Sequence, residues 1–166
     1  MIFMNNAIDI IDIENAHIMW RNFSGKADKF NREEERNFGV IIDDPEMAER
    51  LKADGWNVKH TNPRNEDDEP VAYLKVKINY RKYPPKIFLI TKRKKTLLDE
   101  DTVGELDMAE IRNVDVIISP YHYDVRGKTG ISAYVKVMYV TIEEDVFASK
   151  YDFDDDVLDP DGHLPL

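Results

Sequence analysis

The sequence predicts a mainly β domain with two short helices, and three observations carry that prediction. Several segments alternate apolar and polar residues with the period of two that belongs to half-buried strands. Two stretches switch to helical spacing, each behind residues suited to cap a helix. The end of the chain changes character: residues 143–166 hold nine acids and one lysine, together with Pro160 and Pro165. Such a segment buries too little apolar area to offset its ordering entropy. A folded domain over residues 1–151 and a flexible acidic tail over 152–166 follow.

In chain order, Ile8, Ile10, Ile11 and Ile13 among Asp9, Asp12 and Glu14 suggest an edge strand or lead-in arm. AHIMWRNF from Ala16 places Ile18 and Trp20 on one face and His17, Met19 and Arg21 on the other, with NFGVIID from Asn37 to Asp43 as its antiparallel neighbour. The alternation favours the core for Trp20, with stacking as its other role. Between these strands, SGKADKFNREEER is longer than a tight hairpin turn and reads equally as a β-finger or as a solvated loop whose Glu33, Glu34 and Glu35 offset its cations. Pro45 behind Asp43 or Asp44, then Met47, Ala48 and Leu51, then Gly55, mark a first helix. Trp56, Val58 and His60 begin a strand that runs into the polar loop TNPRNEDDEP. Trp56 and Phe38 are assigned to the core. IFLIT, Ile87 to Thr91, reads as a buried apolar strand. Thr102 and Glu105 have capping-box spacing, and Val103, Leu106 and Ala109 extend a second helix to about Ile111. VDVIISPYHYDV and ISAYVKVMYVTI flank Arg126-Gly127-Lys128-Thr129-Gly130 as a long terminal hairpin.

The charge distribution is more informative than its sum. The formal net charge is -10, yet residues 71–98 carry nine cations (Lys75, Lys77, Arg81, Lys82, Lys86, Lys92, Arg93, Lys94 and Lys95) and no acid. Leu74, Val76, Ile78 and Tyr80 fall on one face of this strand, and Tyr73, Lys75, Lys77 and Asn79 on the other. Rings interleaved with cations suit single-stranded nucleic acid, whose phosphates need positive charge and whose unpaired bases need flat apolar partners.

Catalytic chemistry finds no support. Cysteine is absent, and His17, His60, His122 and His163 share no metal-ligand spacing. Asp152, Asp154 and Asp156 begin like a calcium loop, but Val157 replaces the turn glycine and His163 the closing glutamate. Gly127-Lys128-Thr129 lies between two strands, where a phosphate loop requires a strand followed by a helix. Asp99, Glu100 and Asp101 are better used as the cap and first turn of the second helix than as nuclease ligands. No metal, cofactor or enzymatic activity is expected. The N-terminus lacks signal-peptide character and no apolar run is long enough to span a bilayer, so the expected setting is cytoplasmic.

RNFSGKADKFN followed by RNFGVIIDD, GWNVK, PPKIFLIT, LDEDTVGELDMAEIRNVDVIISPY and GKTGISAYVKVMYVTIEED together resemble the bacteriophage single-stranded DNA-binding proteins, from about Asn15 to Tyr151. The resemblance implies an OB-fold-like five-stranded barrel with additional strands, coating unpaired DNA in phage replication, recombination or repair. It places binding on the Tyr73 to Arg81 strand, the RNFSGK finger and the Gly127 hairpin. Candidate phosphate ligands are Arg21, Lys26, Lys29, Lys75, Lys77, Arg81, Lys82, Lys92, Arg93, Lys94, Lys95, Lys128 and Lys136; candidate stacking rings are Trp20, Phe23, Phe30, Tyr73, Tyr83, Tyr121, Tyr123 and Tyr134. The resemblance also implies a tail that recruits replication or recombination proteins and competes with DNA, here through Asp154, Asp155, Asp156, Leu164 and Leu166. Monomer and homodimer both remain open. Two other classes stay beside this reading: an acidic DNA mimic that occupies a host nucleic-acid-binding protein, and a small nuclease on the same barrel.

Overall fold

The computed structural model describes residues 2–5 as backbone, and residues 10–27, 29, 31, 32, 34–63 and 65–143. Phe30 and the acidic tail lie outside the described residues. The strands are β1 (Ile2–Asn5), β2 (Ile10–Ile13), β3 (Ile18–Asn22), β4 (Arg36–Ile41), β5 (Val58–His60), β6 (Ala72–Ile78), β7 (Lys86–Ile90), β8 (Lys95–Leu98), β9 (Ile111–Val125) and β10 (Lys128–Ile142). Helix α1 spans Pro45–Ala53.

The sheet path is β1-β2-β9-β10-β6-β4-β3, mixed because β10 runs parallel to β6 at Ala133↔Val76 and to β7 at Val137↔Lys86. Its two ends meet. Strands β2 and β3 are consecutive in the chain, and the bend between them is bonded on both sides: Ala16 N donates to Val114 O at 2.7 Å, and Ile41 N donates to His17 O at 2.9 Å. The β2–β3 run, β4, β6, β10 and β9 therefore ring the core as an OB-type arrangement requires, while β1, β5 and the β7–β8 hairpin are additions. Strands β9 and β10 pair through a two-residue turn at Arg126 and Gly127, φ +54° and +82°. Positive φ at both positions is the hairpin geometry that matches strand twist.

Alternation decides which side chains enter the ring. Leu74, Val76 and Ile78 of β6 are buried, as are Phe38 and Val40 of β4 and Ile131, Ala133 and Val135 of β10. Trp56, too, is in the core, as expected. Helix α1 begins where the Asp44 side chain accepts from Glu46 N at 3.0 Å, with Pro45 behind it, and it buries Ala48 and Leu51.

Three local expectations change. The second helix is a single 3-10 element, Val103–Asp107, and β9 starts at Ile111. Thr102 holds the N-cap position but makes no side-chain cap bond; its N and Oγ1, with Asp101 N, donate to Asp99 Oδ1 instead. In β7 only Ile87 is fully buried, because Phe88 and Ile90 alternate onto the outer face. No strand is present among the described residues between β3 and β4, so of the two readings of this connection the β-finger is not realised and the loop is, held at its base.

Candidate nucleic-acid interface

The outer face of β4, β6 and β10 is organised by register. Asn37 lies opposite Lys77, Gly39 opposite Lys75, and Ile41 opposite Tyr73; across the other edge of β6, Lys59 lies opposite Tyr73 and Tyr134 beside Lys77. Lysines thus occupy the middle of a surface with rings toward both ends.

At one end, Trp20 meets Tyr73 edge to face with ring centroids 5.0 Å apart. The alternation that favoured the core for Trp20 fails because β3 is irregular between Met19 and Asn22, and Trp20 itself has φ +53°. That twist turns the indole outward, where it is 60% exposed. Gly39 forms a bare floor there: a Cβ would sit 3.1 Å from Met19 Cγ and 3.5 Å from the indole. Trp20, Tyr73, Asn31, Asn37, Lys59 and Lys75 line a groove of about 660 Å³ at this site. A left-handed backbone at tryptophan stores strain of roughly 1–3 kcal/mol. Trp20→Gly, which accommodates positive φ freely, is therefore expected to melt no lower than the wild type while losing about 1–3 kcal/mol of DNA affinity. Thermal melts and titrations of the same preparation check both halves.

At the other end three tyrosines gather. Tyr83 lies 5.7 Å from Tyr121 and 5.0 Å from Tyr134, and Tyr121 lies 6.1 Å from Tyr134. A turn delivers Tyr83: Asn79 Oδ1 accepts from Arg81 N and Lys82 N, and Tyr83 N donates to Asn79 O at 3.1 Å. The cluster continues into the cations, with Lys77 Nζ 5.9 Å from the Tyr134 ring centre. Partial burial, then the neighbouring Tyr83 and Tyr121, push the Tyr134 hydroxyl pKa up.

Lys77 is held below the ordinary lysine pKa, first by desolvation and then by Lys75, with Lys59 adding to the effect and Glu35 opposing it. A phosphate placed among these cations favours the ammonium and raises that pKa again. Binding therefore takes up a proton between the free and bound values. Affinity is expected to fall as alkaline pH rises through the lowered Lys77 value, and Lys77→Arg, which stays charged, is expected to flatten the profile. Titrations across alkaline pH at constant ionic strength check this. Among the described residues the acids at the groove are Glu34, whose carboxylate lies 3.4 Å from Arg81 Nη2, Glu35, and Glu100, whose Oε1 lies 3.6 Å from Arg36 Nη1.

The structure separates the other candidates. Phe23 is fully buried and stacked on Phe38 at 5.4 Å, so it is a core residue and not a stacking platform. Arg21 borders the groove, but its guanidinium is engaged elsewhere: Nη1 donates to the carbonyls of Leu106 and Ala109, each at 2.8 Å. Asp107 accepts from Phe23 N and Ser24 N, which bolts the loop base to the 3-10 helix. Within that loop, Asn22 accepts from Gly25 N and Lys26 N and donates to Lys26 O and Glu35 O, leaving the Lys26 side chain at the exposed rim with Lys29. Tyr123 lies over Gly130 and donates its hydroxyl to Asn57 Oδ1 at 3.1 Å, tying the hairpin to the segment before β5. Lys82, Lys128 and Lys136 are exposed at the groove's turn, at the hairpin tip and at the β10 bulge.

Lys92, Arg93, Lys94 and Lys95 are not in the groove. They occupy the β7–β8 turn, and β7 ends where Ile90 pairs with Thr141. That is seven residues beyond Tyr134 along β10, roughly 20 Å at strand rise. Lys59, by contrast, joins the groove although the sequence reading omitted it. Its alternation with Val58 and His60 was visible, but only the β5–β6 register puts it opposite Tyr73.

No curated protein matches the chain in sequence. Solved structures of the single-stranded DNA-binding protein from bacteriophage Enc34 share its fold. The one in complex with ssDNA aligns with a TM-score of 0.53 at 10% identity, covering 82% of this chain and 88% of that one. A C-terminal truncation of the same protein gives 0.51 at 11% identity, covering 82% and 87%. The family model of the phage ssDNA-binding domain matches residues 4–164, nearly the entire chain, and the protein belongs to that family.

Proposed function

We propose that this protein coats single-stranded DNA without strong sequence preference, in the host cytoplasm, during phage DNA replication, recombination or repair, and that it catalyses no reaction. The observation that carries this reading is the face on which Lys59, Lys75 and Lys77 lie between the Trp20–Tyr73 pair and the Tyr83–Tyr121–Tyr134 cluster. The lysines neutralise phosphates and the rings stack on bases, a combination that tolerates sequence because every base has a flat face. An Enc34 protein of the same fold has been seen with ssDNA, which supports the assignment. Arg81, Lys82, Lys128 and Lys136 act at the rim, where DNA must compete with Glu34 for Arg81.

Sequence tolerance is tested by titrating homopolymeric and mixed oligonucleotides of one length. Affinities within about tenfold of each other support the reading, since stacking strength alone varies modestly among bases; strong preference for one sequence contradicts it. The tail is assigned a competing and recruiting role on charge alone, six acids tethered to a cationic face. Deleting residues 152–166 is expected to tighten binding at low salt and to matter less at high salt, as paired titrations of the two chains would show.

A further inference from the structure

We propose that the bound strand continues out of the groove along β10 to a second stacking platform made by Phe88 and Tyr139, with Lys95 beside it. This rests on the reading of the groove as a single-stranded DNA site and extends it. The Phe88 and Tyr139 rings are stacked, centroids 5.2 Å apart and planes 12° from parallel, on the outer face of the sheet. Lys95 Nζ stands 4.8 Å from the Phe88 ring centre, and Leu97, opposite Phe88, is 58% exposed. Rings beside a cation on an open strand face are the same chemistry as the groove.

Register makes the two platforms continuous. The β10 residues Val135, Met138 and Val140 are buried, so Tyr134 and Tyr139 both face outward, with the bulge at Lys136 absorbing the extra residue. Five residues separate the two tyrosines, about 16 Å of strand. Cations fill the interval: Lys136 is exposed at the bulge, and Lys86 is exposed beside Val137. Among the described residues of β2 and β9, the acids on this face are Asp12 and Asp115; Asp115 lies opposite Tyr139, and its Oδ1 already accepts from Asn15 N at 3.0 Å. A continuous path also explains why the acid-free stretch reaches Leu98 when the groove itself uses little beyond Tyr83.

The test is length dependence. Oligothymidines stepped from about 4 to 16 nucleotides span the range of sites known for single OB domains. The wild type is compared with the double variant Phe88→Ala, Tyr139→Ala, and with Lys86→Glu, Lys95→Glu, which retains both rings and removes the cations beside them. Short oligonucleotides that fill only the groove are expected to bind all three proteins alike. With longer ones the wild type gains affinity, and both variants fall behind by about tenfold or more. Equal length profiles in all three proteins would overturn the extension while leaving the groove intact, and loss of affinity at every length would make the rings mere supports of the groove. Unchanged profiles with a shift in sedimentation would mark the patch as an interface between copies. Failure of the wild type to bind any length would overturn the groove reading itself.

Discussion

Reversing two charges in the middle of the groove, Lys75→Glu with Lys77→Glu, weakens binding to single-stranded DNA by about a thousandfold at low salt. Each lysine close to a phosphate contributes about 1 kcal/mol even at the dielectric of water, and each reversal replaces attraction with comparable repulsion, about 4 kcal/mol in all. The salt dependence flattens at the same time, by about 1.4 log units per log unit of salt for two lost phosphate contacts. The fold survives, because both side chains leave β6 on the face opposite Leu74, Val76 and Ile78. Titrations over a salt series, with melting curves as a control, check all three statements. Unchanged affinity would remove β6 from the site.

Removing two rings should act differently. Tyr83→Ala with Tyr134→Ala is expected to cost about 2 kcal/mol per lost stack, several hundredfold together, and to leave the salt slope nearly unchanged because no phosphate contact is lost. Tyr83 is 39% exposed and its partners are the other two tyrosines, so truncation opens no hole in the core. A change in slope equal to that of the lysine variant would mean that the cluster positions Lys77 and does not itself hold bases.

Much of this surface was legible because alternation and charge are local properties. The two faces of β6, the Arg126–Gly127 turn, α1 behind an aspartate with Pro45 at its start, and the core positions of Trp56 and Phe38 follow from spacing and residue type within a few positions. What escaped depends on geometry that spacing does not encode. Trp20 and Phe23 exchanged roles because one left-handed residue in β3 shifts the alternation, carrying the indole out and the phenyl ring in. Arg21 stayed at the groove's border, but its guanidinium was taken up by the carbonyls of Leu106 and Ala109. The cation run at Lys92 to Lys95 looked continuous with the basic strand, yet β6 ends at Ile78, a turn and Pro84-Pro85 follow, and β7 pairs with the far half of β10. Lys59 was the converse case, close in space through a pairing register that the sequence alone leaves undetermined.

The central claim is that stacking rings and phosphate-tracking lysines act together on one face. Its most direct measurement is the intrinsic fluorescence of the protein during titration with oligothymidine and with duplex DNA of equal length, each at two salt concentrations. Trp20 and the tyrosine cluster are predicted to report the single strand by quenching, with tighter binding than to duplex and a clear loss of affinity at the higher salt. Equal binding of duplex, or binding of the single strand without quenching and without salt dependence, would contradict the account.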